Sequence, residues 1–121
     1  MRKLFCGTFF ILAHLSLHAQ DERGTPFLRN YSPKEYHSSP QNWAAVQDSS
    51  GIMYFGNGEG VLEYDGVSWR KIRTTNRTVV RSLAIDSTGK IWVGANGEFG
   101  YLAPDSIGQL QFVSLLDKVP Q

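Results

Sequence analysis

Seven side chains in this sequence are suited to holding a ligand: Trp43, Asn57, Glu59, Arg77, Arg81, Asn96 and Glu98. The triplets Asn57-Gly58-Glu59 and Asn96-Gly97-Glu98 each place an amide and a carboxylate two positions apart. Such groups bond to sugar hydroxyls, and Arg77 adds donors for anionic groups. Trp43 offers a flat face to a sugar ring, and Arg81 can hold a carboxylate or sulfate. Each residue also has a plainer use. Asn-Gly favours a two-residue hairpin turn and Glu keeps that turn soluble. Trp43 can pack, and Arg81 can pair with Asp86 or Glu98.

Catalytic and metal-binding sets are not expected, nor is a cofactor. His37 is the sole histidine beyond the N-terminal stretch, and Cys6, the one cysteine, lies inside that stretch. No His/Cys cluster stands ready for a metal. Ser38 and Ser39 adjoin His37, but a triad needs convergent geometry rather than adjacency in sequence. Glu59 and Glu98 form the one pair resembling a glycosidase or lyase dyad. Duplication explains them better, so the expectation is a binding module, with an enzyme as the alternative. Asn76-Arg77-Thr78 fits a glycosylation sequon and is read as chance.

These residues sit in a unit that occurs twice, at a period of about 38 residues. Laying Asp48 on Asp86 puts Trp43 on Arg81 at the start of the innermost strand, Gly51 on Gly89, Tyr54 on Trp92 and Gly56 on Gly94. Treating Ala95 as one inserted residue then matches the two Asn-Gly-Glu triplets. Each unit predicts four short strands with Asp, Gly and Asn-Gly turns between them. The first has strands at 43–47, 52–56, 61–64 and 68–72; the second at 80–85, 90–94, 99–102 and 110–115. Asn57-Gly58 and Asn96-Gly97 predict type I′ turns. Residues 26–31 predict an additional strand and 32–41 a loop, with no helix beyond the N-terminal stretch. A four-strand repeat of this length selects a β-propeller over a sandwich or barrel. Tyr54 and Trp92 are expected to pack between neighbouring blades.

The organisation that follows is a signal peptide at 1–19, a strand or loop segment at 20–41, blade 1 at 42–79 and blade 2 at 80–121. Arg2 and Lys3 precede an apolar stretch from Leu4 to Leu17, and Ala19 supplies the small residue for cleavage. Export to the periplasm or cell surface is the expectation. The chain of 121 residues carries a net charge of +1, or −1 without Arg2 and Lys3, so no pull toward nucleic acid is expected.

The pattern Asp86-Ser87-Thr88-Gly89-Lys90-Ile91-Trp92-Val93-Gly94, with Asp48 to Gly56 as a second copy, resembles the two-component regulator propeller family. The surrounding text, including FLRNYSPKEY, MYFGNGEGVLEYDG and GEFGYLAPDS, resembles the opening of large sensors of the Bacteroidetes type. That resemblance implies an extracytoplasmic sensor segment of a signal-transduction regulator, with carbohydrate-like ligands. It further implies more blades, a triple-tyrosine β-domain, a membrane helix and a cytoplasmic output in a longer chain. Two units fall short of the about three that repeat folds need. The expected partners are therefore further blades in cis or copies of the same chain. A truncated product without independent function is the remaining alternative.

Overall fold

The computed structural model describes Gly24 and residues 27–120, and the signal-peptide expectation at 1–19 lies outside them. Two four-stranded antiparallel sheets follow one another along the chain. The first holds β1 (Asn42–Gln47), β2 (Met53–Asn57), β3 (Gly60–Tyr64) and β4 (Trp69–Ile72). The second holds β5 (Val80–Ile85), β6 (Ile91–Ala95), β7 (Glu98–Pro104) and β8 (Leu110–Ser114). Strand order within each sheet follows the sequence, so both are meanders. This is the expected pair of propeller blades, and the described residues are all-β apart from two short helical turns.

Aspartates shape the turns. In blade 1, Asp48 Oδ1 accepts from the N–H groups of Ser50 and Ile52. In blade 2, Asp86 Oδ1 accepts from those of Thr88 and Lys90, and Asp105 repeats the arrangement with Ile107 and Gln109. Each turn closes on a glycine in the left-handed region, with Gly51 at φ 87°, Gly89 at 83° and Gly108 at 84°. Glycine adopts that conformation without a Cβ penalty. Asp-x-x-Gly is thus a local instruction to reverse the chain.

The other hairpin ends differ from expectation. Type I′ needs positive φ at both central residues. Among Gly58, Glu59, Asn96 and Gly97 only Gly97 has it, so neither turn is of that type. The ladders also remove the supposed insertion at Ala95. Asn57 pairs with Gly60, and Ala95 pairs with Glu98. Gly58 N donates to Gln41 O, and Asn96 N donates to Val79 O, both contacts displaced by the same 38 residues. The repeat therefore keeps one register throughout. Asn57 corresponds to Ala95, and Glu98 to Gly60.

The core lies between the blades. Tyr54, Val61 and Ile72 of blade 1 meet Val80, Ile91, Val93 and Leu102 of blade 2. Strand alternation places Tyr54, Gly56 and Val61 on the one face of blade 1 that blade 2 covers. A Cβ on Gly56 would stand 3.0 Å from the carbonyl oxygen of Val80, so the glycine permits the close approach. At the outer end Arg70 grips Glu63 through two bonds, of 2.9 and 2.8 Å. Its remaining nitrogen donates to Leu110 O of blade 2 at 2.8 Å. Among the described residues nothing covers the equivalent face of blade 2. Tyr54 is 1% exposed, whereas its counterpart Trp92 is 37% exposed.

Upstream, residues 27–31 form no strand, in contrast to the sequence expectation. A four-residue helix, α1 (Pro33–Tyr36), stands where a loop was expected. Pro33 occupies its first turn, and Glu35 Oε2 accepts from Ser32 N at 2.6 Å. One helical turn is too short to display a 3.6-residue period. The segment packs aromatics on the outer part of blade 1 instead of pairing its backbone. Tyr31 and Tyr36 lie edge-on or tilted to Trp69, which stacks on Tyr64 with centroids 4.4 Å apart.

Candidate ligand-binding site

Trp43 and Arg81 are brought together by matching irregularities. The ladder between β1 and β2 shifts between Asn42 and Ala44. The ladder between β5 and β6 shifts between Val80 and Ser82. Trp43 and Arg81 are the extra residues of these two β-bulges. A bulge bends its strand and re-aims the side chain that it carries. The Arg81 guanidinium carbon lies 4.8 Å from the centroid of the Trp43 ring, a cation–π contact between the innermost strands of successive blades. Arg81 forms this contact and, among the described residues, no ion pair with Asp86 or Glu98. Both side chains remain exposed.

Beside this pair lie the β2–β3 and β6–β7 turns and the crossover that joins the blades. Asn57 is completely buried. Its Nδ2 donates to Ser39 O, Gln41 O and Asn42 Oδ1 at 2.7, 3.1 and 2.8 Å. Its Oδ1 accepts from Ser38 Oγ and Glu59 N. Asn57 locks the segment leading into β1 and presents no free polar atom to a ligand.

Glu98 performs the parallel task in blade 2. It is buried, and Oε2 accepts from Asn76 N at 3.1 Å in the crossover. Burial pushes its carboxyl upward, but bonds from Asn76, Thr75 and Ser114 outweigh this and hold it below the ordinary glutamate value. Asn96 contributes backbone contacts, its N–H to Val79 O and its carbonyl to Asn76 Nδ2. Arg77 closes the crossover turn, donating its N–H to Thr74 O, in the left-handed region at φ 53°. Its side chain is exposed.

Glu59 is exposed and ion-paired with Lys71, which holds its carboxyl below the usual range. The two glutamates thus occupy unlike positions, one ion-paired in the open and one buried beneath the crossover. Among the described residues no cluster of His, Cys, Asp and Glu is arranged to hold a metal. No described helix is long and apolar enough to cross a membrane.

Residues 75–97 match the family model described as two component regulator propeller. This segment of the chain is similar to a two component regulator propeller repeat. The match spans the crossover, β5, the Asp86 turn and β6. No curated protein and no solved structure matches the chain. Within the propeller repeat, the pairing of Asp86 with Trp92 has a physical cause. Asp86 caps its turn with Oδ1 while Oδ2 accepts from the Trp92 indole N–H at 2.8 Å. Tyr54 OH makes the same link to Asp48 Oδ2 at 3.2 Å.

Sequence reasoning located Trp43 and Arg81 as equivalents but missed their contact and their bulges. A bulge leaves no residue signature here, because Trp43 and Arg81 share no chemistry. The latch role of Asn57 was also missed. Burial of an amide at a turn follows from the path of residues 38–42, which composition does not disclose.

Proposed function

We propose that this propeller segment is the exported, ligand-binding part of a two-component-type regulator, and that its ligand is carbohydrate-like. The observation that carries this reading is the exposed Trp43–Arg81 pair, presented by two consecutive bulges beside the blade crossover. An indole face suits the apolar face of a sugar ring, and a guanidinium fork suits its polar substituents. Arg77 and Asn96 stand on the same side of the blades.

The reading is of a binding module rather than an enzyme. What supports it is that Glu59 is engaged by Lys71 and Glu98 is enclosed by the crossover, at non-equivalent ladder positions. A lyase or glycosidase would need two carboxylates flanking a common bond. Absence of polysaccharide turnover by the wild-type chain removes the enzyme reading, and turnover retained in the E59Q/E98Q double variant removes these two glutamates as its catalytic pair. Turnover that the wild-type chain shows and the double variant loses favours it.

Export is supported by the basic, apolar and small-residue order of positions 2–19. Recovery of the chain in a periplasmic or surface fraction tests it. Further sheets, in cis or from a second copy, are the proposed partners of blade 2, whose open face carries Trp92, Phe99 and Tyr101.

The test of binding is a glycan array probed with the labelled chain and with its W43A/R81A variant. Captured saccharides lost by the variant support the proposal. Absence of any captured saccharide, or capture indifferent to the variant, overturns it.

A further inference from the structure

Meander topology sorts the charged residues of this protein to opposite ends of its sheets. The Asp-x-x-Gly turns lie at one end, and the β2–β3 turn, the β6–β7 turn and the crossover lie at the other. The turn end holds Asp48, Asp65, Asp86 and Asp105 with Lys90, and Arg70 and Arg29 lie near it through the Leu110 carbonyl and the Tyr31–Tyr64 contact. The crossover end holds Lys71, Arg73, Arg77, Arg81 and Lys118. Its carboxylates are Glu59, Glu98 and Asp117. Glu59 is neutralised by Lys71, and Glu98 is buried under the bond from Asn76 N.

Five cations against three carboxylates leave two positive charges in excess at this end. Arg73, Arg77 and Arg81 are exposed, and among the described residues none forms an ion pair. All three lie at this end: Arg73 follows β4, Arg77 is in the crossover and Arg81 is at the bulge that opens β5. Arg81 is further fixed by its position over the Trp43 ring. Holding a guanidinium in advance reduces the rotamer freedom lost when it meets a carboxylate or sulfate. About half of the Trp43 surface, 48%, stays open beside it.

We infer that the ligand taken at this end is an acidic saccharide, one bearing carboxylate or sulfate groups. The inference rests on the carbohydrate reading above and narrows it. Arg81 takes the anionic group, Trp43 receives the ring that carries it, and Arg77 and Arg73 engage the next charges along the chain. A neutral saccharide would leave the three arginines without an ion-pair partner and gain nothing from this field. The opposite, aspartate-rich end repels the same ligand, which directs binding to the crossover end.

Calorimetric titration of the full chain tests this with two oligosaccharide sets of equal length, one of uronate-bearing or sulfated units and one neutral. The acidic set is expected to bind at least about tenfold more tightly, and to weaken as salt rises from about 50 to about 300 mM. R81A is expected to lose about tenfold in affinity for the acidic set. R81K is expected to lose less, since it keeps the charge without the planar fork. K90A removes one cation from the far end and is expected to leave affinity unchanged. Equal or tighter binding of the neutral set, with sensitivity to W43A, overturns the acidic preference and leaves the carbohydrate reading standing. Binding of neither set overturns both.

Discussion

The indole N–H of Trp92 donates to Asp86 Oδ2 at 2.8 Å, so one carboxylate ties a turn to the middle of a strand. Tyr54 and Asp48 repeat this link through a phenol. Asp105, the third aspartate of this kind, caps its own turn through Oδ1 with Ile107 and Gln109 and has no such aromatic partner among the described residues. Replacing Asp86 therefore removes two functions, and replacing Asp105 removes one. D86A is expected to lower the thermal midpoint by roughly 5 °C or more, with D105A lowering it less. Thermal denaturation followed by circular dichroism checks this ranking.

Acid should unfold the protein through the same groups. Bonds from Thr88 and then Trp92 hold Asp86 well below the ordinary aspartate value, and the Ser68 and Val67 N–H groups lower Asp65. Glu98 is lowered as well. A carboxyl with a depressed folded value stabilises the fold above its unfolded value of about 4, and loses that contribution as pH falls through the folded value. Stability should therefore be level near neutral pH and fall progressively below about pH 4. D86N should flatten part of that fall. Chemical denaturation at stepped pH measures it, and a wild-type curve that rises toward acid would contradict the assignment.

The fold was legible because it is written in turn residues. Asp-x-x-Gly recurs where the chain must reverse, and alternating apolar residues fill the strands between. The N-terminal segment was not legible, because Tyr31 and Tyr36 act through ring contacts that have no sequence period. The candidate site was legible in part. Trp43 and Arg81 could be equated by spacing, but their contact depends on two bulges that only the ladders reveal. The Asn-Gly-Glu triplets misled, since a repeated tripeptide invited an insertion at Ala95 that the backbone does not contain.

Asn57 offers a sharper test of how the first blade is held. Its Nδ2 faces three oxygens, from Ser39, Gln41 and Asn42. Truncation in N57A leaves those acceptors without a donor and is expected to cost roughly 3 kcal/mol. N57D is nearly isosteric, yet it sets an acceptor oxygen against three others and adds a buried charge. N57D should therefore be the more damaging of the two, and urea denaturation of both proteins checks the order.

Gly56 and Gly94 occupy one position in successive blades, and their surroundings differ. A methyl at Gly56 would press on the backbone and side chain of Val80 across the blade interface. A methyl at Gly94 would meet chiefly Ser82 Oγ, a hydroxyl on the same sheet that can rotate away. G56A is expected to destabilise by about 1–3 kcal/mol and G94A by less than about 1. Equal effects would mean that the two blade faces are equally enclosed.

Val61 and Phe99 extend that contrast to side-chain burial. Val61 pairs with Gly56, and Phe99 pairs with Gly94, at the same rung of the two ladders. Val61 is 0% exposed beneath blade 2, while Phe99 is 41% exposed on the uncovered face. Large burial makes truncation costly because both transfer energy and packing are lost. V61A should therefore cost about 2 kcal/mol. F99A removes more carbon, yet it should cost under about 1 kcal/mol in the isolated chain, where much of the ring already meets water. The order reverses if another sheet covers blade 2, since Phe99 then becomes the larger buried group. Denaturation of V61A and F99A at low and high protein concentration separates the cases. A penalty for F99A that grows with concentration would reveal a second copy seated on that face.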